Sequence, residues 1–168
     1  IAVKKPGQLT FELCSRYVDE IVTVDDDEIA QAILLLMERG KMVAEGAGAA
    51  SVAAIMSRKF DVSGKVAAVI SGGNIDVTMI SRIIEKGLLR EGRMTKLRIL
   101  MQDRPGQLEQ ASRVIAAAGA NVMAVHHDRT DVDLDIRDAI LEITMETQDR
   151  EHAQRVIRAL RESGFQVH

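Results

Sequence analysis

Between residues 94 and 167 the apolar pattern switches four times between the two-residue period of a strand and the longer period of a helix. No other feature of this 168-residue chain restricts its fold as tightly. Alternation over 95–101 predicts a strand, and Asp103-Arg104-Pro105-Gly106 supplies a turn. A helix follows over 108–118 and stops at Gly119. Strands are predicted over 121–127 and 136–147, then a helix over 149–163 stopped by Gly164, and a short last strand over 165–167.

That βαββαβ order is the ferredoxin-like arrangement, one sheet carrying two helices. The first half of the chain reads differently. Residues 20–24 alternate as Glu-Ile-Val-Thr-Val and predict a strand. Asp25, Asp26 and Asp27 supply an N-cap and an acidic first turn for a helix over 28–39, ended by Gly40. Its apolar residues Ile29, Ala32, Ile33, Leu36 and Met37 share one face. A short extended piece then leads into Gly46-Ala47-Gly48-Ala49-Ala50, where small residues permit close helix packing or a nearby ligand. That second helix runs to about residue 59. The apolar run 65–70 predicts a buried strand, and it empties into Ser71-Gly72-Gly73-Asn74. Asp76 caps a third helix over 77–86, and 87–93 reads as a glycine-punctuated linker. Residues 1–13 show no clear period. The expected class is therefore α/β. Residues 1–90 form the end portion of a larger α/β domain, and residues 91–168 form a separate ferredoxin-like domain.

Composition excludes several functions. Hydrophobic residues make up 46% and charged residues 28%, which places the chain among globular proteins. Residues 1–92 carry 11 basic and 13 acidic side chains, and residues 93–168 carry 11 and 12. No basic field exists to collect nucleic acid, and 2% aromatic residues leave no platform for stacking bases. No apolar run approaches the ~18 residues of a membrane span. A single cysteine, Cys14, excludes an internal disulfide framework and fits a reducing, cytoplasmic setting. The first residue is Ile1 rather than Met, so the sequence reads as a processed or truncated product.

Ser71-Gly72-Gly73-Asn74 lies where α/β sheets bind ligands, after a predicted strand and before a helix, although four residues alone also describe an ordinary turn. Ala2-Val3-Lys4-Lys5-Pro6-Gly7, residues 18–24, Glu45-Gly46-Ala47-Gly48-Ala49 and residues 70–76 occur in that order. As an ordered set they resemble the end of the catalytic domain of the threonine dehydratase (threonine ammonia-lyase) family, fold-type II pyridoxal-phosphate enzymes related to serine racemase. The resemblance implies a pyridoxal phosphate cofactor in the full-length parent. Ser71 is then the hydroxyl on the pyridine nitrogen, with Gly72, Gly73 and Asn74 beside it and Glu45 near the cofactor. A hydroxyl there brings no negative charge to raise the pyridine pKa, so the ring stays a moderate electron sink suited to β-elimination. The family's Schiff-base lysine sits in a Ser-Phe-Lys setting. None of Lys4, Lys5, Lys41, Lys59, Lys65, Lys86 and Lys96 does, so no catalytic residue is assigned and these residues alone are expected to be inactive.

Asp103-Arg104-Pro105-Gly106-Gln107-Leu108, followed after a helix by Gly119-Ala120-Asn121-Val122, resembles the ACT domain, a regulatory module that binds amino acids. The resemblance implies effector contacts from Asp103, Pro105, Gly106, Gln107, Leu108, Asn121 and Val122. Amides at a helix N-terminus welcome a carboxylate, and Asp103 or Asn121 can meet an ammonium. It also implies allosteric regulation, self-association into a dimer or tetramer, and a place in isoleucine biosynthesis. No nucleic acid, membrane or metal is expected. Asp131, Asp133, Asp135 and Glu142 mimic a calcium loop, but Ile136 stands where that loop needs glycine. His126 and His127 are adjacent on a strand and point to opposite faces. The alternatives are a non-catalytic ACT-domain binding protein, or a serine dehydratase or racemase of the same family.

Overall fold

A computed structural model describes residues 4–61, 63–130 and 134–168. The chain divides into two units, Ile1–Ile84 and Glu85–His168.

In the first unit, α1 spans Gln8–Tyr17, α2 Asp26–Leu35 and α3 Gly46–Met56, and the divide falls within α4, Val77–Glu91. Helix α1 forms where the sequence showed no period, and all its residues are exposed. Helix α2 starts as its acidic cap predicts. Asp25 Oδ1 accepts from the Glu28 amide at 2.8 Å, and Glu28 Oε2 accepts from the Asp25 amide at 2.9 Å, a reciprocal capping box. Lys59 closes on Glu28 Oε1 at 2.7 Å. The hydrogen bond from Lys59, with the Asp25 amide second, holds the Glu28 carboxyl below its usual range. The expected helix over 28–39 changes character near its end, because Leu36–Gly40 is a π-helical turn. Lys41 leaves it at φ 53°, and the Met42 amide closes on the Leu36 carbonyl at 3.1 Å. Ala32, Ile33 and Leu36 are buried with Ala44, Ala49 and Ala53 of the neighbouring segment, so the predicted face is the core face.

Two expected strands do not form. Residues 20–24 and 65–70 are extended without ladder partners, and Val66 and Val69 are exposed rather than buried. A strand is defined by its neighbour, and among the described residues of this unit there is none for either segment to pair with. The alternation survives in part, since Val22 and Val24 are half-buried while Ile21 and Thr23 are exposed. The expected linker over 87–93 is also corrected. Helix α4 continues through Gly87 and ends only at Gly92, whose φ of 73° stops it.

The second unit follows the predicted βαββαβ order. Strands β1 (Met94–Gln102), β2 (Asn121–Asp128), β3 (Asp138–Glu146) and β4 (Gln166–Val167) alternate with α5 (Gln107–Ala117) and α6 (Arg150–Glu162). The sheet is antiparallel in the order β2-β3-β1-β4. Leu97, Ile99 and Met101 of β1 and Leu141, Ile143 and Met145 of β3 pack against Ala111 and Ile115 of α5 and Val156 and Leu160 of α6. Both helices therefore cover one face. Buried His152 ties their ends together. Its Nδ1 accepts from the Gln148 amide at 3.1 Å, which leaves Nε2–H to donate to the Ala118 carbonyl at 2.8 Å.

Candidate functional site

Residues 43–51 and 69–76 run alongside each other in the first unit, and glycines set how closely they approach. The Glu45 amide donates to the Gly72 carbonyl at 3.0 Å, and Ser51 Oγ donates to the Val69 carbonyl at 2.8 Å. A Cβ on Gly48 would stand 2.4 Å from the Gly72 oxygen, and one on Gly73 would stand 2.8 Å from the Val43 oxygen. A Cβ on Gly72 would meet Glu45 Oε1 at 2.5 Å. Three glycines thus press the Ser71–Asn74 turn against the start of α3, with the half-buried Glu45 side chain laid on Gly72.

The opposite side of the turn is open. Ser71, Gly73 and Asn74 are exposed, and no bulky side chain stands among them. Asp76 fixes where the turn becomes helix, its Oδ1 accepting from Thr78 Oγ1 and from the Thr78 amide, both at 2.7 Å. Those bonds, the hydroxyl first, hold the Asp76 carboxyl below its ordinary range. All five residues expected near the cofactor, Glu45 and Ser71 to Asn74, therefore meet in one place. Gly48 belongs with them; in the sequence it was legible only as one small residue among several.

The effector residues are not brought together within one unit. Asp103, Pro105, Gly106, Gln107 and Leu108 lie beyond the Gln102 end of β1, where Gln102 pairs with Asp138. Asn121 pairs with Glu146, which pairs with Met94 at the other end of the same strand. Eight residues of strand separate them, about 26 Å. Asn121 Nδ2 donates to Glu146 Oε2 at 2.9 Å, with Val122 half-buried beside it.

Asp103 is also engaged already. Arg129 Nε meets its Oδ2 at 2.8 Å and Arg129 Nη2 its Oδ1 at 3.2 Å, with His127 Nε2 at 3.7 Å. Neither partner was anticipated, because Arg129 sits 26 residues further along and reaches Asp103 only through the β2–β3 pairing. Gly106 opens α5 in the left-handed region at φ 92°. His126 pairs with Glu142 and His127 with Leu141, so the two point to opposite faces as expected. Asp131 and Asp133 lie outside the described residues, and among those described no cluster of metal-ligating side chains occurs. No helix of the described residues is long and apolar enough to cross a membrane.

Comparison with known proteins assigns both units. Residues 1–72 match the family described as Pyridoxal-phosphate dependent enzyme, and residues 95–165 match the ACT domain. The chain joins a segment of the pyridoxal-phosphate dependent enzyme family to an ACT domain. Over 168 residues it is 52% identical to an L-threonine ammonia-lyase of Thermotoga maritima and 46% identical to one of Geobacter sulfurreducens. Each alignment covers 99% of this chain and 42% of the relative, so the chain spans about two-fifths of the proteins it matches. A catabolic L-threonine dehydratase of Escherichia coli is 45% identical over 84 residues, 48% of this chain and 26% of that protein. The ferredoxin-like sheet described above is that of the ACT domain, and the glycine-locked turn belongs to the enzyme segment. Ser71 and Gly72, the first two residues of that turn, are the last of the matched range.

Proposed function

We propose that this chain supplies the ring-side wall of a pyridoxal phosphate site and an amino-acid-sensing ACT domain to a threonine ammonia-lyase, which converts L-threonine to 2-oxobutanoate and ammonia. The observation that carries the reading is 52% identity to an L-threonine ammonia-lyase across both units in one alignment. Residues 1–90 form the catalytic portion and 91–168 the regulatory one. The residues of the turn fit the cofactor. A flat ring needs an approach without side-chain bulk, which Gly72 and Gly73 leave, and a neutral partner for its nitrogen, which the exposed Ser71 hydroxyl supplies. Pyridoxal phosphate, when bound, supplies the electron sink for eliminating the β-hydroxyl.

The chain's own residues do the holding. Ser71 donates or accepts one hydrogen bond without adding charge, and Asn74 offers an amide at the rim. Glu45, laid on Gly72, keeps the turn seated. In the whole protein, Ser71→Ala is expected to weaken cofactor binding by roughly 1 kcal/mol, about five-fold, and to lower turnover with the fold intact. Ser71→Asp is expected to restore the hydrogen bond but to change the balance of reactions. Cofactor titration and 2-oxobutanoate assays read both, and unchanged affinity and turnover in Ser71→Ala would remove Ser71 from the site.

The separation of about 26 Å within one unit supports an effector site shared between two copies. Asp103, Pro105, Gly106, Gln107 and Leu108 of one copy can join Asn121 and Val122 only of a second. Self-association as a dimer or tetramer therefore completes the site, and ligand binding favours the assembled form. Branched-chain amino acids are the effectors expected for an enzyme of isoleucine biosynthesis in the cytoplasm. Calorimetry with isoleucine and valine is expected to give heat that disappears in Asn121→Ala and in Gly106→Leu. Binding by a strictly monomeric form would place the ligand elsewhere.

A further inference from the structure

The direction of the backbone bonds of β1 leaves part of one edge open. The Arg93 carbonyl accepts from the Thr147 amide at 2.9 Å, and the Asp103 amide donates to the Arg137 carbonyl at 2.8 Å, so the odd-numbered residues of β1 bond toward β3. The even-numbered residues face the other side, where Arg98 and His168 exchange both backbone bonds, at 3.2 and 2.9 Å. Pairing with β4 takes in Ile99 and Leu100 and goes no further toward Met94 than this exchange. Lys96 and Met94 turn their N–H and C=O groups to the same side, and among the described residues no backbone partner meets them. A groove of about 330 Å³ runs along this stretch. Leu89 of α4 and Ala153 and Ile157 of α6 give it apolar walls, with Arg150 and Gln154 at the rim. The flank of α6 beside the edge is basic. Arg161 Nη2 donates to the Val167 carbonyl at 3.0 Å, and Arg150 Nε to the Arg90 carbonyl at 3.1 Å. Exposed Arg158, between those two on the helix, has no hydrogen-bonding or ionic partner among the described residues. On the adjoining surface Arg150, Arg155 and Arg158 stand against one carboxylate, Glu151.

We propose that this edge docks an extended acidic peptide segment of a partner protein, added antiparallel to β1 along the line that β4 begins. The peptide residue opposite Lys96 exchanges both backbone bonds with it, as His168 does with Arg98. Its side chain shares the face of Lys96, while the residues before and after it turn toward Ala153 and Ile157. The recognised segment is therefore acidic at the central residue, apolar on either side of it, and acidic again at its ends, near the arginines of α6. Lys96 Nζ lies 2.8 Å from Glu85 Oε1 and is exposed, so it keeps donors for a second carboxylate. Unpaired groups on a strand edge supply affinity through main-chain bonds, and the alternate side chains and the basic flank supply selectivity. The surface uses none of the residues assigned to the cofactor or to the effector, so it rests on neither reading.

The probe is the fluorescently labelled peptide Glu-Glu-Val-Glu-Val-Glu-Glu with blocked ends, titrated into the whole protein and followed by anisotropy. Saturable binding is expected. The same peptide with Lys for Glu should bind at least tenfold more weakly, and Arg158→Glu in the protein should weaken the acidic peptide at least threefold. N-methylation of the central Glu removes the N–H that meets the Lys96 carbonyl and should cost at least tenfold. N-methylation of the first Val, whose N–H faces away from β1, should cost less than threefold. Hydrogen exchange read at single residues should show the Lys96 amide slowed at least tenfold by the peptide, with the Thr95 amide, already bonded toward β3, unchanged. Equal affinity of the two N-methylated peptides overturns the proposal, because charge attraction alone would then explain the binding. Equal binding of the lysine peptide, an unchanged Lys96 amide, or no saturable binding overturns it as well. Protection of Lys96 that grows with protein concentration without peptide would assign the edge to a second copy and also overturns it. None of these readouts depends on ammonia-lyase activity.

Discussion

Gly48→Ala is expected to lower turnover of the whole protein about a hundredfold, while Gly46→Ala, two residues earlier in the same helix, leaves it nearly unchanged. The contrast is geometric. A Cβ on Gly46 would meet Ile29 Cγ2 at 3.6 Å, an ordinary van der Waals contact. A Cβ on Gly48 would stand 2.4 Å from the Gly72 oxygen and 2.9 Å from the Gly72 nitrogen. Those are backbone atoms, which cannot rotate away as a side chain can. Relieving the overlap requires the turn at Ser71 to move by about 1 Å, at an overpacking cost of about 1–3 kcal/mol. Such a shift breaks the hydrogen bond from the Glu45 amide to Gly72 and carries Ser71 with it. A displacement of that size at a positioned group costs about 10²-fold in rate. The measurements are kcat for the proposed formation of 2-oxobutanoate and affinity for the proposed cofactor, with the far-ultraviolet spectrum showing that the fold persists. Gly48→Ala activity within twofold of the parent would mean that this contact does not position the turn.

What could be read from the residues divides along the line between local and non-local interactions. The ACT unit was legible because its signals are local. Two-residue alternation, Gly119 and Gly164 each act within a few residues, and the sheet they imply closes inside this chain. The strand patterns at 20–24 and 65–70 are equally clear, yet a pattern states only which face is apolar. Pairing depends on a neighbour, and the described residues of that unit offer none. Two further features were illegible for the same reason. The lock at Gly48 joins residues 24 apart, and Arg129 reaches Asp103 across 26 residues through a hairpin. The π-helical turn at Leu36–Gly40 differs. It is local, but the apolar face continues unbroken through Leu36 and Met37, so periodicity alone reads it as ordinary helix.

The second large effect is expected in the ACT unit, where Gly92→Ala should destabilise the fold by several kcal/mol and Thr147→Val by less. Two costs combine at Gly92. Its φ of 73° is left-handed, which costs an L-residue about 1–2 kcal/mol. Its Cβ would also stand 2.7 Å from the Arg150 nitrogen and 2.8 Å from the Arg150 Cα, in the first turn of α6. Neither strain can be relieved separately, because the Gly92 carbonyl is pinned by Thr147 Oγ1 at 2.5 Å and the Arg93 carbonyl by the Thr147 amide at 2.9 Å. Arg150 is held in turn, its Nε and Nη2 donating to the Arg90 carbonyl at 3.1 and 2.6 Å. Turning Gly92 away from α6 would therefore break the junction between the end of α4, the start of β1 and the end of β3. Thr147→Val keeps the shape of that junction and removes only the hydroxyl. It leaves the Gly92 carbonyl one donor short, at about 1–3 kcal/mol. Thermal unfolding followed by the α5 and α6 helical signal separates the two. Gly92→Ala is expected to lower the midpoint by more than 10 °C and Thr147→Val by about half that, since 1 kcal/mol shifts a domain of this size by roughly 4–8 °C. A Gly92→Ala midpoint within 2 °C of the parent would show that the helix end and α6 can part without cost, and that the fixed junction between α4 and β1 is not what holds this sheet in register.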